Sequence, residues 1–294
     1  MYDKFPRILI LGGTGMLGSM LWSQLSLVPG WVVRKSQRVS PGNPYYFNAL
    51  DKEENLISLL QTEGGIDYVV NAIGIIKSEI NQDDRNSMLV AEEINSHFPK
   101  RLAKVAEMLG VRIIHISTDG VFSGKTGPYD EFDVPDPNDF YGQTKLAGEI
   151  CEPHALTLRC SIIGPDPDKS RGLFEWFRQL PSGSTINGFI DQMWNGVTSI
   201  QLANLCREII QNSRFDQLTQ ISPIRHFCPN TPISKYELLN IFNFSLVSGV
   251  VVKSVESGTP LNRILKSRWS DLNNLIGGTN DMSHAINEMI TLLD

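Results

Sequence analysis

The chain has 294 residues, 41% hydrophobic and 20% charged, with a net charge of −6. That is the composition of an ordinary folded protein with room for a large core, which excludes a disordered or fibrous chain. No run of Lys or Arg offers a surface for nucleic acid or an anionic membrane, so neither is an expected partner.

Along the chain, Arg7 to Leu11 is a continuous apolar run of the kind a parallel strand buried on both faces needs. Gly12 ends it, and Leu17, Met20, Leu21, Trp22 and Leu25 then recur at helical spacing until Pro29-Gly30. Trp31 to Val33 predicts a second strand, Leu56 to Leu60 a helix, and Asp67 to Val70 a strand leading into Asn71-Ala72-Ile73-Gly74. Glu92 to Leu109 predicts one long amphipathic helix closed by Gly110, followed by a strand over Val111 to Ile116 and a helix over Tyr141 to Cys151. Leu156 to Ile163 predicts the next strand. This alternation predicts an α/β fold, a Rossmann-type doubly wound parallel sheet with right-handed crossovers. Residues 1–164 would form the dinucleotide-binding domain, completed by part of 191–222. Residues 165–190 and 223–294 would form a small C-terminal substrate-binding region, with helices near Leu173 to Leu180 and Ile200 to Gln211.

Leu238 to Val252 is too short and too interrupted by Asn, Ser and Gly for a membrane span, and predicts a helix and then a strand. Met1 to Arg7 leads straight into a strand-like run, and no signal peptide is expected there. Cys151, Cys160, Cys206 and Cys228 have neither CxxC nor metal-ligand spacing, which suits reduced thiols and a cytoplasmic protein. The five histidines are scattered without ligand spacing, and no metal is expected.

Three motifs carry chemistry. Gly12, Gly15 and Gly18 form GxxGxxG between the first strand and the first helix. Missing side chains there let the backbone turn tightly and bring helix N-terminal N–H groups to a pyrophosphate. The end of the second strand carries Arg34, Lys35 and Arg38 and no acid before Asp51. A cation there accepts a 2′-phosphate, so NADP(H) is favoured, with NAD(H) as the alternative. Tyr141 and Lys145 lie about one helical turn apart on one face. The ammonium is expected to favour phenolate and lower the phenol pKa, giving a proton donor or acceptor near neutral pH. Thr118 or Ser117 would add a hydroxyl that positions a carbonyl.

With these motifs in place, the chain resembles the extended short-chain dehydrogenase/reductase superfamily, and within it the dTDP-4-dehydrorhamnose reductase-like branch. The resemblance rests on the Gly12 to Gly18 loop, Asn71 to Gly74, Ile94-Asn95, Ser117 to Gly124, Gly127-Pro128-Tyr129 with Glu131, Pro135 to Pro137, and Tyr141 to Glu149. It is dense over 7–164 and thinner beyond, where Gly172 to Phe177, Ile233 to Leu239 and Arg263 look family-like.

The resemblance implies a catalytic set of Thr118, Tyr141 and Lys145, with Ser117, Asp119, Gly120 and Arg263 toward the substrate. Gly12, Thr14, Gly15, Met16, Leu17, Arg34, Lys35, Asn48, Ala49, Ala72, Ile73, Gly74, Tyr141, Lys145 and Ile162 would lie along the cofactor. Asn95 would support Lys145 and an active-site water. The implied reaction is NADPH-dependent reduction of a nucleotide-activated 4-keto-6-deoxy sugar in deoxysugar and polysaccharide biosynthesis. Members of the superfamily often dimerise through helices of the cofactor domain, so a homodimer is the oligomer to test.

Two positions depart from the family pattern. Gly120 stands where Tyr commonly follows Ser-Thr-Asp, and the aromatic residue usual after the Arg-Thr-Ser strand is replaced, since this sequence reads Arg159-Cys160-Ser161-Ile162. Both remove bulk near the expected sugar, and Gly120 also replaces the Glu that a 4,6-dehydratase uses. The alternatives are a nucleotide-sugar epimerase holding NAD tightly and a regulatory subunit that binds dinucleotide without turnover. Trp176, Phe177, Phe189 and Trp194 could wall the site, and Arg171, Arg178 and Arg263 have the chemistry of diphosphate clamps.

Overall fold

Six short apolar strands make one parallel sheet. In chain order they are β1 (Arg7–Leu11), β2 (Val32–Lys35), β3 (Tyr68–Asn71), β4 (Arg112–Ile116), β5 (Ala155–Arg159) and the strand Ile224–His226. Across the sheet, Ile224–His226 is followed by β5, β4, β3, β1 and, at the far edge, β2. The register sets Ile10 opposite Val70 and Val70 opposite Ile114. The chain goes outward from β1 to β2 and then returns past β1 to β3, so the strand order reverses between β1 and β3. At such a reversal the connections leave in opposite directions and open a crevice beyond the carboxyl ends. The computed structural model describes residues 5–38, 42–168, 171–278 and 280–292.

The helices are α1 (Met16–Leu25), α2 (Glu53–Leu60), α3 (Arg85–Glu92), α4 (Phe98–Leu109), α5 (Phe140–Ala147), α6 (Gly172–Arg178) and α7 (Ser199–Gln211), with shorter ones beyond. Alternate strand residues face opposite ways, and both faces are covered. Ile8, Ile10, Val70 and Ile114 pack with Leu17, Leu21 and Ile209 of α1 and α7. Leu9, Leu11, Val69 and Ile113 pack with Leu56, Leu60 and Leu102 of α2 and α4. Each such fully buried aliphatic side chain contributes about 1.5–3 kcal/mol of transfer free energy.

The single helix expected over Glu92 to Leu109 is two helices joined by a π turn, Glu93–His97. Pro99, near the start of α4, has no N–H to give the carbonyl four residues back, that of Asn95. The register slips there, and Asn95 is turned into the interior at 1% exposure. The strand expected over Leu156 to Ile163 also divides. β5 ends at Arg159, and Ile162–Ile163 leaves the sheet to pair with Val197–Thr198. α5 stops at Ala147, four residues short of expectation, with Gly148 as its cap. The sheet reaches beyond residue 222, the limit expected for the cofactor domain, because Ile224–His226 supplies its edge.

The rest of the chain builds a wall beside the carboxyl edge. Thr185–Phe189 pairs with Val251–Val255, and Gln192–Trp194 pairs with both Ile233–Ser234 and Leu261–Asn262. The wall returns to the sheet side through Asn262, whose N–H donates to Gly124 O at 2.8 Å, and Lys266, whose N–H donates to Tyr129 O at 2.7 Å. Among the described residues no helix is long and apolar enough to cross a membrane.

Candidate active site

The loop after β1 sits on the end of β2. Gly12 N–H donates to Ser36 Oγ at 3.1 Å, and Gly13 N–H donates to Ser36 O at 3.3 Å. Gly12 has φ of +79°, which only glycine adopts freely. A β-carbon on Gly18 would stand 2.7 Å from the Gly12 carbonyl carbon, so α1 can approach the loop only with glycine there. No side chain caps α1 at Gly15. Its first-turn N–H groups, from Met16 onward, therefore face the crevice mouth without an intrahelical acceptor. This shape suits a pyrophosphate: a glycine cradle that side chains would fill, ending in a positive helix terminus.

Arg34 and Lys35 lie on opposite faces at the end of β2. The Lys35 ammonium sits over the Trp22 ring, 5.0 Å from its centroid, while Arg34 Nε donates to Tyr45 Oη at 3.1 Å. Arg38 is exposed. Phe47 N–H donates to Gln37 O at 3.0 Å, which places Asn48 and the buried Ala49 beside the same strand end. Beyond β3, Ala72 N–H donates to Leu11 O at 3.0 Å, and Ile73 N–H to Asn71 Oδ1 at 3.2 Å. Ala72 to Gly74 thus line the crevice across from Gly12.

Thr118 follows β4, and Tyr141 and Lys145 stand on α5. A β-carbon on Gly120 would lie 3.3 Å from Thr118 Oγ1 and 3.5 Å from Tyr141 Cε1, so the three residues share one small space. Tyr141 thus lies beside Thr118, across the Gly120 backbone. Thr118 Oγ1 accepts from Gly120 N–H at 3.0 Å and donates to Asp119 Oδ1 at 3.1 Å. Lys145 Nζ donates to Ile116 O at 2.7 Å, and a β-carbon on Gly74 would lie 3.9 Å from that ammonium. The hydroxyl and phenol therefore meet at Gly120, and the ammonium, one helical turn on, lies where the cofactor-side loop passes.

The electrostatics differ from the sequence expectation. Burial is the main influence on the Tyr141 phenol and pushes it up to about 12, with nearby Asp119 and Asp139 adding to the rise. Burial also brings Lys145 down to about 8, opposed by the Glu149 carboxylate. The ammonium is turned toward the Ile116 carbonyl, to which it donates at 2.7 Å. Tyr141 is accordingly a neutral proton donor at pH 7, not an incipient phenolate. Asp119 is also pushed up by burial, against the pull of Arg263.

Asn95 Oδ1 accepts from Ile75 N–H at 2.9 Å, and its Nδ2 donates to Ile75 O at 3.0 Å and Thr144 Oγ1 at 3.2 Å. It ties the loop after β3 to α5 directly; none of these contacts is to Lys145. Ser117 Oγ donates to Glu149 Oε1 at 2.7 Å, and Glu149 forms a buried two-point ion pair with Arg159 at 2.7 and 2.8 Å. The Ser117 hydroxyl is thus engaged beneath the site, leaving Thr118 as the one beside Tyr141.

A cleft of about 380 Å3 opens between the sheet edge and the C-terminal wall, with Met16, Asp119, Ile162 and Arg263 on its lining. Arg263 reaches from the wall toward α5, its Nη2 3.9 Å from Asp139 Oδ2. Of the four aromatic residues considered as a wall, Trp194 lines the cleft, while Phe177 is fully buried in the core. Arg171 lines it as well but is paired with Asp166 and Glu79, and Arg178 is paired with Glu175. Lys235 also lines the cleft, its ammonium 5.7 Å from the Phe189 ring centroid and its pKa lowered by burial. Sequence reading had no signal for Lys235 beyond the Ile233 to Leu239 segment in which it lies. Among the described residues no cluster of three or more His, Cys, Asp or Glu could hold a metal ion.

A six-stranded parallel sheet with a glycine-lined crevice at its strand reversal, and a Thr-Tyr-Lys set beside it, defines a dinucleotide-binding fold of the short-chain dehydrogenase/reductase kind. Residues 6–275 match the RmlD substrate binding domain family, and the chain belongs to it. Methionine adenosyltransferase 2 subunit beta of Rattus norvegicus is 26% identical over 243 residues, 79% of this chain and 70% of that protein. The probable low-salt glycan biosynthesis reductase Agl14 of Haloferax volcanii is 32% identical over 194 residues, 62% of this chain and 63% of its own. Among solved structures, dTDP-4-dehydrorhamnose reductase of Bacillus anthracis in complex with NADP superposes with a TM-score of 0.75 at 18% identity. The match covers 98% of this chain and 100% of that one.

Proposed function

We propose that this protein is an NADPH-dependent reductase of a nucleotide-activated 4-keto-6-deoxy sugar, serving polysaccharide or glycan assembly in the cytoplasm. The observation that carries the reading is that Thr118 and Tyr141 lie together against Gly120, next to Asp119 on the cleft, while the Lys145 ammonium lies near Gly74. Gly12 to Met16 would hold the pyrophosphate, Ala72 to Gly74 and Ile162 the nicotinamide side, and Arg34 and Lys35 a 2′-phosphate. The cofactor would supply a hydride. Thr118 would position the substrate carbonyl, Tyr141 would give its proton to the oxygen, and Lys145 would hold the cofactor ribose. NADP in the Bacillus anthracis reductase and the reductase name of the Haloferax protein support this reading.

The test is NADPH oxidation with a panel of dTDP- and UDP-linked 4-keto-6-deoxy sugars, NADH run alongside. Oxidation with at least one, faster with NADPH, is the expected result; bound NADPH and no oxidation with any would overturn it.

A second reading has an observation of its own. The subunit-beta relative matches over more of this chain than the reductase relative does. On that reading the chain holds a dinucleotide as a partner of another enzyme. Co-purification with a methionine adenosyltransferase, together with no turnover in the sugar panel, would favour it.

A further inference from the structure

We propose that Asp139 is a positioning residue of the reduction, holding the helix that carries Tyr141 to both banks of the cleft through a single carboxylate. The inference deepens the reductase reading above and rests on it. Asp139 caps α5: its Oδ1 accepts from Gly142 N–H at 2.8 Å, and its carbonyl accepts from Gln143 N–H at 3.1 Å. Tyr141 is therefore in the first turn, two residues from the cap. The other oxygen of the carboxylate is left for other partners. Asp139 Oδ2 accepts from Lys77 Nζ at 3.0 Å, and Arg263 Nη2 stands 3.9 Å from it. Lys77 belongs to the short turn Lys77–Glu79 in the loop after β3, and Arg263 to the C-terminal wall.

A cap needs no charge. Asn caps a helix as well as Asp does, so an amide oxygen would close α5 equally well. The charge is what the two cations use. Burial opposes ionisation of Asp139, but the Gly142 N–H, Lys77 and Arg263 outweigh it and hold the carboxyl below its usual pKa. Lys77 is 64% exposed, so removing it disturbs little packing. Arg263 lines the cleft, and its Nη2 also donates to Asn138 Oδ1 at 3.5 Å. Its Nε is buried with no hydrogen-bond partner among the described residues, so Asp139 and Asn138 are what hold the guanidinium at the cleft.

The consequence falls on Tyr141. The loop after β3 carries Gly74 past the Lys145 ammonium, and the wall carries Arg263 along the cleft. By gripping one cation from each, Asp139 fixes the first turn of α5 against both, and with it the distance from the phenol to the carbonyl it protonates. Position and field have opposite signs here, which separates them. The Asp139 carboxylate adds to the rise in the Tyr141 pKa, so through its field alone, loss of the charge would make the phenol a readier donor. Loss of position lowers the rate instead. The turn that carries Lys77 is also held by Glu79 to Arg171, so it keeps its place when the Lys77 contact is lost.

Asp139→Asn keeps the cap and removes the charge. Its urea midpoint, and its NADPH affinity read by cofactor fluorescence, should match the wild type. With a sugar that the wild type reduces, its kcat should fall on the order of 10-fold. Lys77→Met should lower kcat by a smaller factor in the wild type. In the Asp139→Asn background it should change nothing further, because the contact it removes is already gone. A wild type that reduces no sugar in the panel would defeat the reductase reading, and this role of Asp139 with it. With an active wild type, an Asp139→Asn variant as fast as the wild type or faster would overturn the positioning role alone. So would a Lys77→Met effect that is absent from the wild type or equal in both backgrounds. A fall in kcat that comes with lost stability or lost NADPH affinity would reduce Asp139 to a structural cap, and overturn it too.

Discussion

Gly142 and Gly120 touch backbone to backbone. A β-carbon on Gly142 would overlap the Gly120 carbonyl oxygen and stand 2.9 Å from Pro137 Cβ. This approach lets α5 set Tyr141 against Thr118. Gly142→Ala should therefore push the helix off the turn and lower turnover on the order of 10²-fold, since displacement of about 1 Å costs that much in a positioned site. NADPH affinity should change little, because the glycine loop is elsewhere. A variant with normal kcat would show that the helix tolerates the shift.

Gly18→Ala meets the Gly12 backbone and cannot be relieved by a side-chain rotation. The expected result is loss of NADPH binding and about 1–3 kcal/mol of stability in urea unfolding. Gly42→Ala is the control: nothing lies within 4 Å of its β-carbon, and it should stay within about 0.5 kcal/mol of the parent.

Arg34→Ala should shift the choice of cofactor. Losing one charge-assisted contact to a 2′-phosphate costs about 1.5–3 kcal/mol. NADPH affinity should then drop roughly 10- to 100-fold, with NADH affinity nearly constant, measured as two dissociation constants by titration calorimetry. Equal losses for both would place the guanidinium away from the phosphate.

The pH dependence stems from Lys145. Its folded-state pKa is lowered from 10.5 to about 8, so the unfolded chain binds more protons between those values. Stability gained from this group therefore rises with pH from about 8 to 10.5, and below pH 8 the burial penalty is present in full. Lys145→Met should raise stability at pH 7 by about 1–3 kcal/mol while abolishing turnover. In the wild type, turnover should fall above about pH 8 as the ammonium is lost, with Tyr141, at about 12, contributing nothing below pH 10. A stability unchanged by Lys145→Met at pH 7 would show that the Ile116 carbonyl fully compensates the buried charge.

Glu149→Leu leaves Arg159 buried and unpaired, and the expected loss is about 3–5 kcal/mol. Adding Arg159→Met should restore most of it, because the cost lies in the orphaned charge. Denaturant midpoints of the single and double variants decide the matter.

Much of this was legible in the sequence because the signals are local. The run Arg7 to Leu11, the glycines at 12, 15 and 18, and the Tyr141–Lys145 spacing each act within a few residues, and β1, α1 and the start of α5 fell where those patterns set them. Where elements far apart in sequence meet, the signals fail. Nothing near Gly142 announces that it must clear Gly120, and Lys235 reaches the cleft only because Gln192–Trp194 pairs with Ile233–Ser234. The π turn was encoded by a single missing N–H at Pro99, which periodicity reads as one more apolar position in a helix. The phenol was misjudged for a related reason. Spacing gives the proximity of Lys145, but neither the burial of the hydroxyl nor the carbonyl that claims the ammonium.

The edge strand Ile224–His226 belongs to the sheet that begins at Arg7, yet some sixty residues separate it from β5, and those residues build much of the cleft wall. The chain thus leaves the cofactor lobe, shapes the opposite bank and returns to seal the lobe it left. A fragment ending at residue 164 would present β5 as an unpaired edge and strip α7 from α1, inviting association with other chains. Ligand recognition and sheet closure are stitched together by one thread, so proteolysis within the wall would unravel both.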